Sequence, residues 1–259
     1  MWLVLFGVSY LLLFLFAVFF LLDIKRIKKI RLTPNFFFQK IYFNIIPLLI
    51  IFVVVGFHLI EVKIIDPFVT NWVIYDYADF IKNLENGFVH NFMDYWVPVL
   101  LNFFVFIYIF VYTFMLWFGV LYFIIAEKKR SLKILAYGLL IIYLVALPFY
   151  LFFPVSNVYT YYNSPSALET VIPSIDNFFY ATTTENNCFP SLHTAMAILF
   201  AYCFSLTGNK KLKYFGIFVA TTVIISVLYL SIHWFLDVFA GILISIGVIF
   251  LLRYYIKDK

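Results

Sequence analysis

The sequence predicts an all-α fold, a polytopic transmembrane helix bundle of about six to seven spans plus short interfacial helices. Three observations carry this. The 259-residue chain is 65% hydrophobic and only 12% charged, which is more apolar surface than a water-soluble domain can hide. Apolar runs of about 20 residues recur, the length a helix needs to cross a hydrocarbon core of about 30 Å. The basic residues gather between those runs, as loops on the cytoplasmic side of a membrane do. An outer-membrane barrel would show short alternating strands instead, and none are visible.

Seven spans are expected, in order 3–22, 41–60, 97–126, 132–153, 190–206, 214–232 and 234–255. The first has no basic region before it and no small-residue cleavage site after it, so it reads as a retained anchor. One set of loops holds Lys25, Arg26, Lys28, Lys29, Arg31 and Lys40, then Lys128, Lys129, Arg130 and Lys133, then Lys210, Lys211 and Lys213, then Arg253, Lys257 and Lys259. These are 16 of the 18 basic residues, and the opposite side keeps only Lys63 and Lys82. The bias predicts an extracytoplasmic amino terminus and a cytoplasmic carboxyl terminus, which an odd number of crossings satisfies. The net charge of +5 then reflects topology and attraction to anionic lipid heads, not nucleic-acid binding.

Two outer segments depart from simple spans. Residues 61–96 place Asp66, Asp76, Asp79, Glu85 and Asp94 among aromatics and could form short interfacial helices. Residues 154–189 contain no Lys or Arg, and a loop of that length is more often functional than a plain connector. No repeat or second domain stands out. The chain reads as one integral membrane domain, 1–259, with two accessory spans in 1–60 and a catalytic bundle in 97–259 whose motifs lie at 188–195 and 226–241. Cys188 and Cys203, about 22 Å apart if on one helix, are too distant for a disulfide and sit in no metal-ligand spacing. His58 and His90 read as interfacial anchors.

Ionisable groups inside the apolar C-terminal sequence mark a functional site. Forty residues, or about 60 Å of helix, separate Lys213 from Arg253, which is two crossings with His233 at the turn. Asp237 follows one helical turn later. His193 precedes Lys210 by 17 residues, about 25 Å, and so reaches the same level. Pro190 suits the first turn of a helix, whose free N–H groups favour an anion, and Ser191 could add a hydroxyl donor. Two histidines and a carboxylate there could cleave a phosphoester, one imidazole attacking phosphorus and the other protonating the leaving oxygen. The same three could coordinate a metal, which would leave the phosphate-friendly helix start unexplained.

Pro190-Ser-Leu-His193 resembles the Pro-Ser-Gly-His signature of the type 2 phosphatidic acid phosphatase superfamily. Ser226, His233 and Asp237 resemble its third signature, a Ser followed seven residues on by His and four more by Asp. Phe-Pro-Ser-Leu-His with His-Trp-Phe-Leu-Asp-Val-Phe-Ala-Gly is most similar to the inositol phosphorylceramide synthase branch, an inositolphosphotransferase-like group. The resemblance implies His233 as the nucleophile of a phosphohistidine intermediate, Asp237 as its orienting carboxylate and His193 as the acid. It implies no metal or other cofactor and a phosphorylated lipid as substrate. Ser191, Asn187 and Ser226 are the expected phosphate contacts. The Arg that follows the Ser of the third signature is Val227 here, and the region matching the basic first signature, about 148–159, has no basic residue. Asn157, Asn186, Lys63 or Lys82 would have to serve in place of those cations. The expected activity is lipid phosphate or pyrophosphate hydrolysis at the extracytoplasmic face, with head-group transfer to an alcohol as the alternative, and a His/Asp proton-relay transporter as a rival from another class. The expected partners are the lipid substrate and the surrounding bilayer, not nucleic acid; nothing in the sequence speaks to oligomeric state.

Overall fold

The computed structural model describes residues 2–22 and 33–257. Helix α1, Trp2–Phe16, continues through a π turn at Ala17–Leu21. Helix α2 is Pro34–Phe43, and α3 runs Ile45–Thr70. A short helix α4, Ala78–Glu85, and a 3₁₀ turn, His90–Tyr95, lead to α5, Pro98–Ile125, and α6, Lys129–Phe152. Three brief helices follow: α7, Val158–Tyr161; α8, Ala167–Val171; and α9, Ile175–Phe179. The chain ends in α10, Leu192–Ser205, α11, Lys210–Tyr229, and α12, Phe235–Tyr255. Among the described residues there is no β-sheet, only an isolated bridge between Val155 and Asn187.

Helices α3, α5, α6, α11 and α12 are long and apolar enough to cross a membrane. The other two expected spans are shorter apolar helices, Leu5–Leu21 and α10. The 14 residues of α10 rise only about 21 Å, so the expected all-α bundle of six to seven spans takes the form of five long apolar helices and two shorter ones. The span expected to end at residue 60 instead continues to Thr70 through a π turn at Glu61–Ile65. A helix in apolar surroundings keeps its backbone bonded internally, and Glu61 goes inside with side-chain partners of its own. Of the segment 61–96, only α4 and the 3₁₀ turn form the short elements expected there.

Local signals explain the helix boundaries. Pro98 opens α5, where a missing N–H costs nothing. Asn209 caps α11 by accepting the N–H groups of Lys211 and Leu212. Helix α10 is the hub, packed against α5, α6, α11 and α12. Its Ala195, Ala197, Leu199, Phe200, Cys203 and Phe204 are all buried. Large apolar side chains on the outer helix faces, such as Phe52, Trp117 and Phe250, are exposed, as lipid-facing surfaces require.

The helix ends sort into two poles. At one, Lys40 pairs with Glu127 at 2.7 Å, Arg130 Nε donates to Ile256 O at 3.0 Å, and Asn209 Nδ2 donates to Leu21 O at 2.8 Å. The basic clusters around Lys40, Lys128 and Lys210 therefore share a pole. Lys25, Arg26, Lys28, Lys29, Arg31 and Lys259 lie outside the described residues. The opposite pole is covered by irregular chain. Val155 N–H donates to Asn186 O at 2.8 Å, Tyr77 N–H to Pro154 O at 2.9 Å and Trp234 Nε1 to Ser156 O at 2.8 Å.

Candidate functional site

Three helix ends meet beneath that cover. Helix α11 closes with Ser231 in the left-handed region, φ 54°, so that Ile232 and His233 both direct their N–H groups to Val227 O, at 3.0 and 3.1 Å. This turn delivers His233, 3% exposed, into the space between α11 and α12. Trp234 follows as the N-cap of α12, and Asp237 is the third helical residue. Asp237 Oδ2 accepts the Trp234 N–H at 2.8 Å and lies 3.3 Å from His233 Nδ1. One carboxylate oxygen thus caps the helix and fixes the imidazole.

Glu85 completes the cap from α4, accepting the N–H groups of Phe235 at 3.1 Å and Leu236 at 2.6 Å. Two carboxylates thus take the N–H groups of Trp234, Phe235 and Leu236 at the start of α12. Burial, opposed by those two bonds, raises the Glu85 carboxyl above its ordinary 4.5, and Asp237 adds to the rise.

Ser191 caps α10, its Oγ accepting the Thr194 N–H at 3.3 Å, while its own N–H donates to Asp237 O at 3.0 Å. Pro190 therefore precedes the cap rather than occupying the first turn, and its carbonyl accepts the Tyr150 hydroxyl at 2.8 Å. The close approach of α10 to α12 depends on Gly241, because a Cβ there would stand 2.5 Å from Ser191 O. His193 becomes the second residue of α10. Its Nδ1 lies 3.3 Å from His233 Nε2 and its Nε2 3.0 Å from the Tyr108 hydroxyl. Tyr108 sits in a π turn of α5, Ile107–Val111. The structure thus joins His193, His233 and Asp237 in one chain, extended at the far end by Tyr108.

His233 lies in the turn between two spans. Burial lowers its pKa from 6.5 to about 4, against a smaller upward pull from the Cys188 backbone. At neutral pH the ring is uncharged and one of its nitrogens carries a lone pair, the form a nucleophile needs.

The expected phosphate contacts fare differently. Ser191 stands at the head of α10 beside the histidines. Asn187 and Ser226 spend their side-chain donors elsewhere, Asn187 Nδ2 on Glu61 Oε1 at 3.2 Å and Ser226 Oγ on Val223 O at 2.8 Å. Asn186 donates to Thr70 Oγ1 at 3.3 Å and Asn157 to the Tyr180 hydroxyl at 3.2 Å. Lys63 is exposed, and among the described residues neither it nor Lys82 contacts the histidines.

A metal would find a different trio from the one expected. Cys188, His233 and Asp237 are buried and offer ligand atoms within 4.8 Å of one another; His193 is not in that group. Burial pushes the Cys188 thiol well above its ordinary 9.0, and Sγ donates to Ile232 O at 3.4 Å. In this fold the thiol therefore serves as a hydrogen-bond donor, and a metal at this trio would have to displace its proton.

A second polar cluster lies beside the site. Glu61, fully buried, accepts from the Tyr143 hydroxyl at 3.3 Å and lies 3.4 Å from His58 Nδ1. His58 Nε2 is 3.1 Å from Thr182 O, and the His90 ring stacks on Tyr162 at 3.7 Å. Neither histidine is a simple interfacial anchor. Sequence reasoning also missed Tyr108, Glu85 and Glu61 as site neighbours. Only Glu61 carries a signal, being a carboxylate continuous with an apolar span.

Residues 165–259 match the PAP2 superfamily, a stretch that contains His193, His233 and Asp237. No curated protein and no solved structure matches the chain.

Proposed function

We propose that this protein is an integral membrane phosphoesterase acting on a lipid phosphate or pyrophosphate through a phosphohistidine intermediate. The observation that carries the reading is the unbroken sequence His193–His233–Asp237, with contacts of 3.3 Å and 3.3 Å. The match of residues 165–259 to the PAP2 superfamily supports phosphatase or phosphotransferase chemistry on a lipid phosphate. His233 Nε2 attacks phosphorus as the bond to the lipid oxygen breaks, and His193 gives that oxygen a proton. Water then attacks the phosphohistidine, the N–P bond breaks, and His193 recovers a proton. The two imidazoles must part to admit the phosphoryl group. The charge bias supports an extracytoplasmic site.

A second reading is favoured by the charges around the site. Among the described residues no Lys or Arg touches the histidines, whereas Asp237 and Glu85 lie at the same helix start. A dianionic phosphate monoester lacks the cationic clamp it usually has, so a singly charged phosphodiester suits the site better. An alcohol in place of water would then make the enzyme a phosphotransferase, as in the inositol phosphorylceramide synthase-like branch.

Purified protein given head-group-labelled lipid separates the two: free phosphate or free phospho-head group marks hydrolysis, and a new labelled lipid in the presence of a lipid alcohol marks transfer. Label trapped on the protein as an acid-labile, base-stable adduct is expected in both cases. Turnover retained by His233→Ala would overturn the nucleophile assignment.

A further inference from the structure

The hydrogen bonds of the site run in one direction, and that direction assigns a role to a fourth side chain. Asp237 Oδ2 already accepts the Trp234 N–H, so it also accepts from His233, and His233 Nδ1 is the donor. His233 Nε2 then carries the lone pair. His193 Nδ1, 3.3 Å away, must supply the hydrogen to it. His193 Nε2 is left as an acceptor, and the Tyr108 hydroxyl, 3.0 Å away, is its donor. Tyr108 is only 2% exposed, and its ring packs 5.0 Å, centroid to centroid, from that of His193. The π turn of α5 that holds Tyr108 adds one residue to the helical register, a device frequent at functional sites.

We propose that Tyr108 is the positioning residue of the acid–base histidine, selecting which nitrogen of His193 carries the proton in each half of the reaction. This rests on the phosphoesterase reading above. A neutral imidazole that gave up its Nδ1 proton would be left as an anion, so the working acid is the doubly protonated ring. In that form Nε2 carries hydrogen and the Tyr108 oxygen turns from donor to acceptor, which a hydroxyl can do without moving. In the first half, the lipid P–O bond breaks, the N–P bond to His233 forms, and the Nδ1 proton passes to the leaving oxygen. Tyr108 then holds the remaining proton on Nε2 and leaves an Nδ1 lone pair facing the phosphohistidine. In the second half, that lone pair takes the proton of the attacking water or alcohol as the N–P bond breaks. A phenylalanine would leave Nε2–H buried without a partner and remove the preference for this tautomer.

The test is the dependence on leaving group. Because kcat/KM reports the steps through formation of the phosphoenzyme, protonation matters for a lipid alkoxide and little for nitrophenolate. Tyr108→Phe is expected to lower kcat/KM about 10- to 100-fold on an alkyl-ester lipid, a fraction of full acid–base catalysis, and to leave a nitrophenyl phosphodiester within about threefold. Tyr112→Phe, whose ring also packs on His193 at 5.6 Å, should leave both substrates unchanged. Equal losses on both substrates, or no loss on either, would overturn the proposal. If Tyr108→Phe does not fold, 3-fluorotyrosine at position 108 keeps the shape and alters the phenol's proton affinity. It should change the alkyl substrate at least about threefold and spare the aryl one, and an equal response from both sinks the idea. The two readings fail separately: activity surviving in His233→Ala removes the phosphohistidine route, whereas inactive His193→Ala and His233→Ala beside an indifferent Tyr108→Phe removes only the role of Tyr108.

Discussion

The proposed attack on phosphorus needs an uncharged histidine, and burial keeps His233 so, with His193, Asp237 and the Cys188 sulfur around it. The same burial has a cost in acid. The unfolded chain binds a proton at this ring below pH 6.5, and the native state does so only at about pH 4. Between those values the unfolded state holds more protons, so stability falls as pH drops, by about 1.4 kcal/mol per pH unit for one full proton. The melting temperature of detergent-purified protein is expected to decline from pH 7 to pH 5, and His233→Asn should flatten that decline. An identical slope in the two proteins would contradict the burial argument. At this scale His193, His233 and Asp237 were legible because ionisable groups are scarce in the apolar C-terminal sequence. Tyr108 was not, because one tyrosine among 20 gives no contrast. Glu85 was hidden for a similar reason, being one of six acidic residues in the segment 61–96. Its partners Phe235 and Leu236 are 150 and 151 positions away, a pairing that cannot be read from local spacing.

The decisive contact between elements is the crossing of α10 and α12 at Gly241. Ser191 O is backbone and cannot rotate away from an added Cβ at 2.5 Å. Gly241→Ala is expected to destabilise the protein by about 1–3 kcal/mol, the usual cost of overpacking, and to depress turnover by displacing His193 from His233. Gly247→Ala, on the same helix with nothing within 4 Å of its Cβ, should be neutral or slightly stabilising. Thermal unfolding and turnover of the two variants check this, and equal behaviour would refute it. The boundaries of α5, α6, α11 and α12 were readable to within a few residues because Pro98, the Lys clusters and the polar turn at 209 mark them. The end of α3 was not. Val62, Ile64 and Ile65 continue its apolar pattern past Glu61, and the groups that satisfy Glu61, Tyr143 and Asn187, are 82 and 126 residues away in sequence.

For the whole molecule, the separation of the basic pole from the pole that holds the histidines makes orientation measurable. Phe88 is exposed near the histidine pole, and Lys211 is exposed at the basic pole. A membrane-impermeant maleimide applied to intact cells is expected to label Phe88→Cys and not Lys211→Cys; the reverse pattern would invert the topology. The length of α10 adds a consequence of its own. A helix of 14 residues rooted at the basic pole ends about 9 Å short of the far edge of a hydrocarbon layer about 30 Å deep. Under the proposed function, the reacting phosphorus would have to sink below the plane of its neighbours while its acyl tails stay among theirs. Such a lipid would arrive sideways and the second reactant from above through the irregular roof, so the roof would decide whether water or a larger alcohol gets in first.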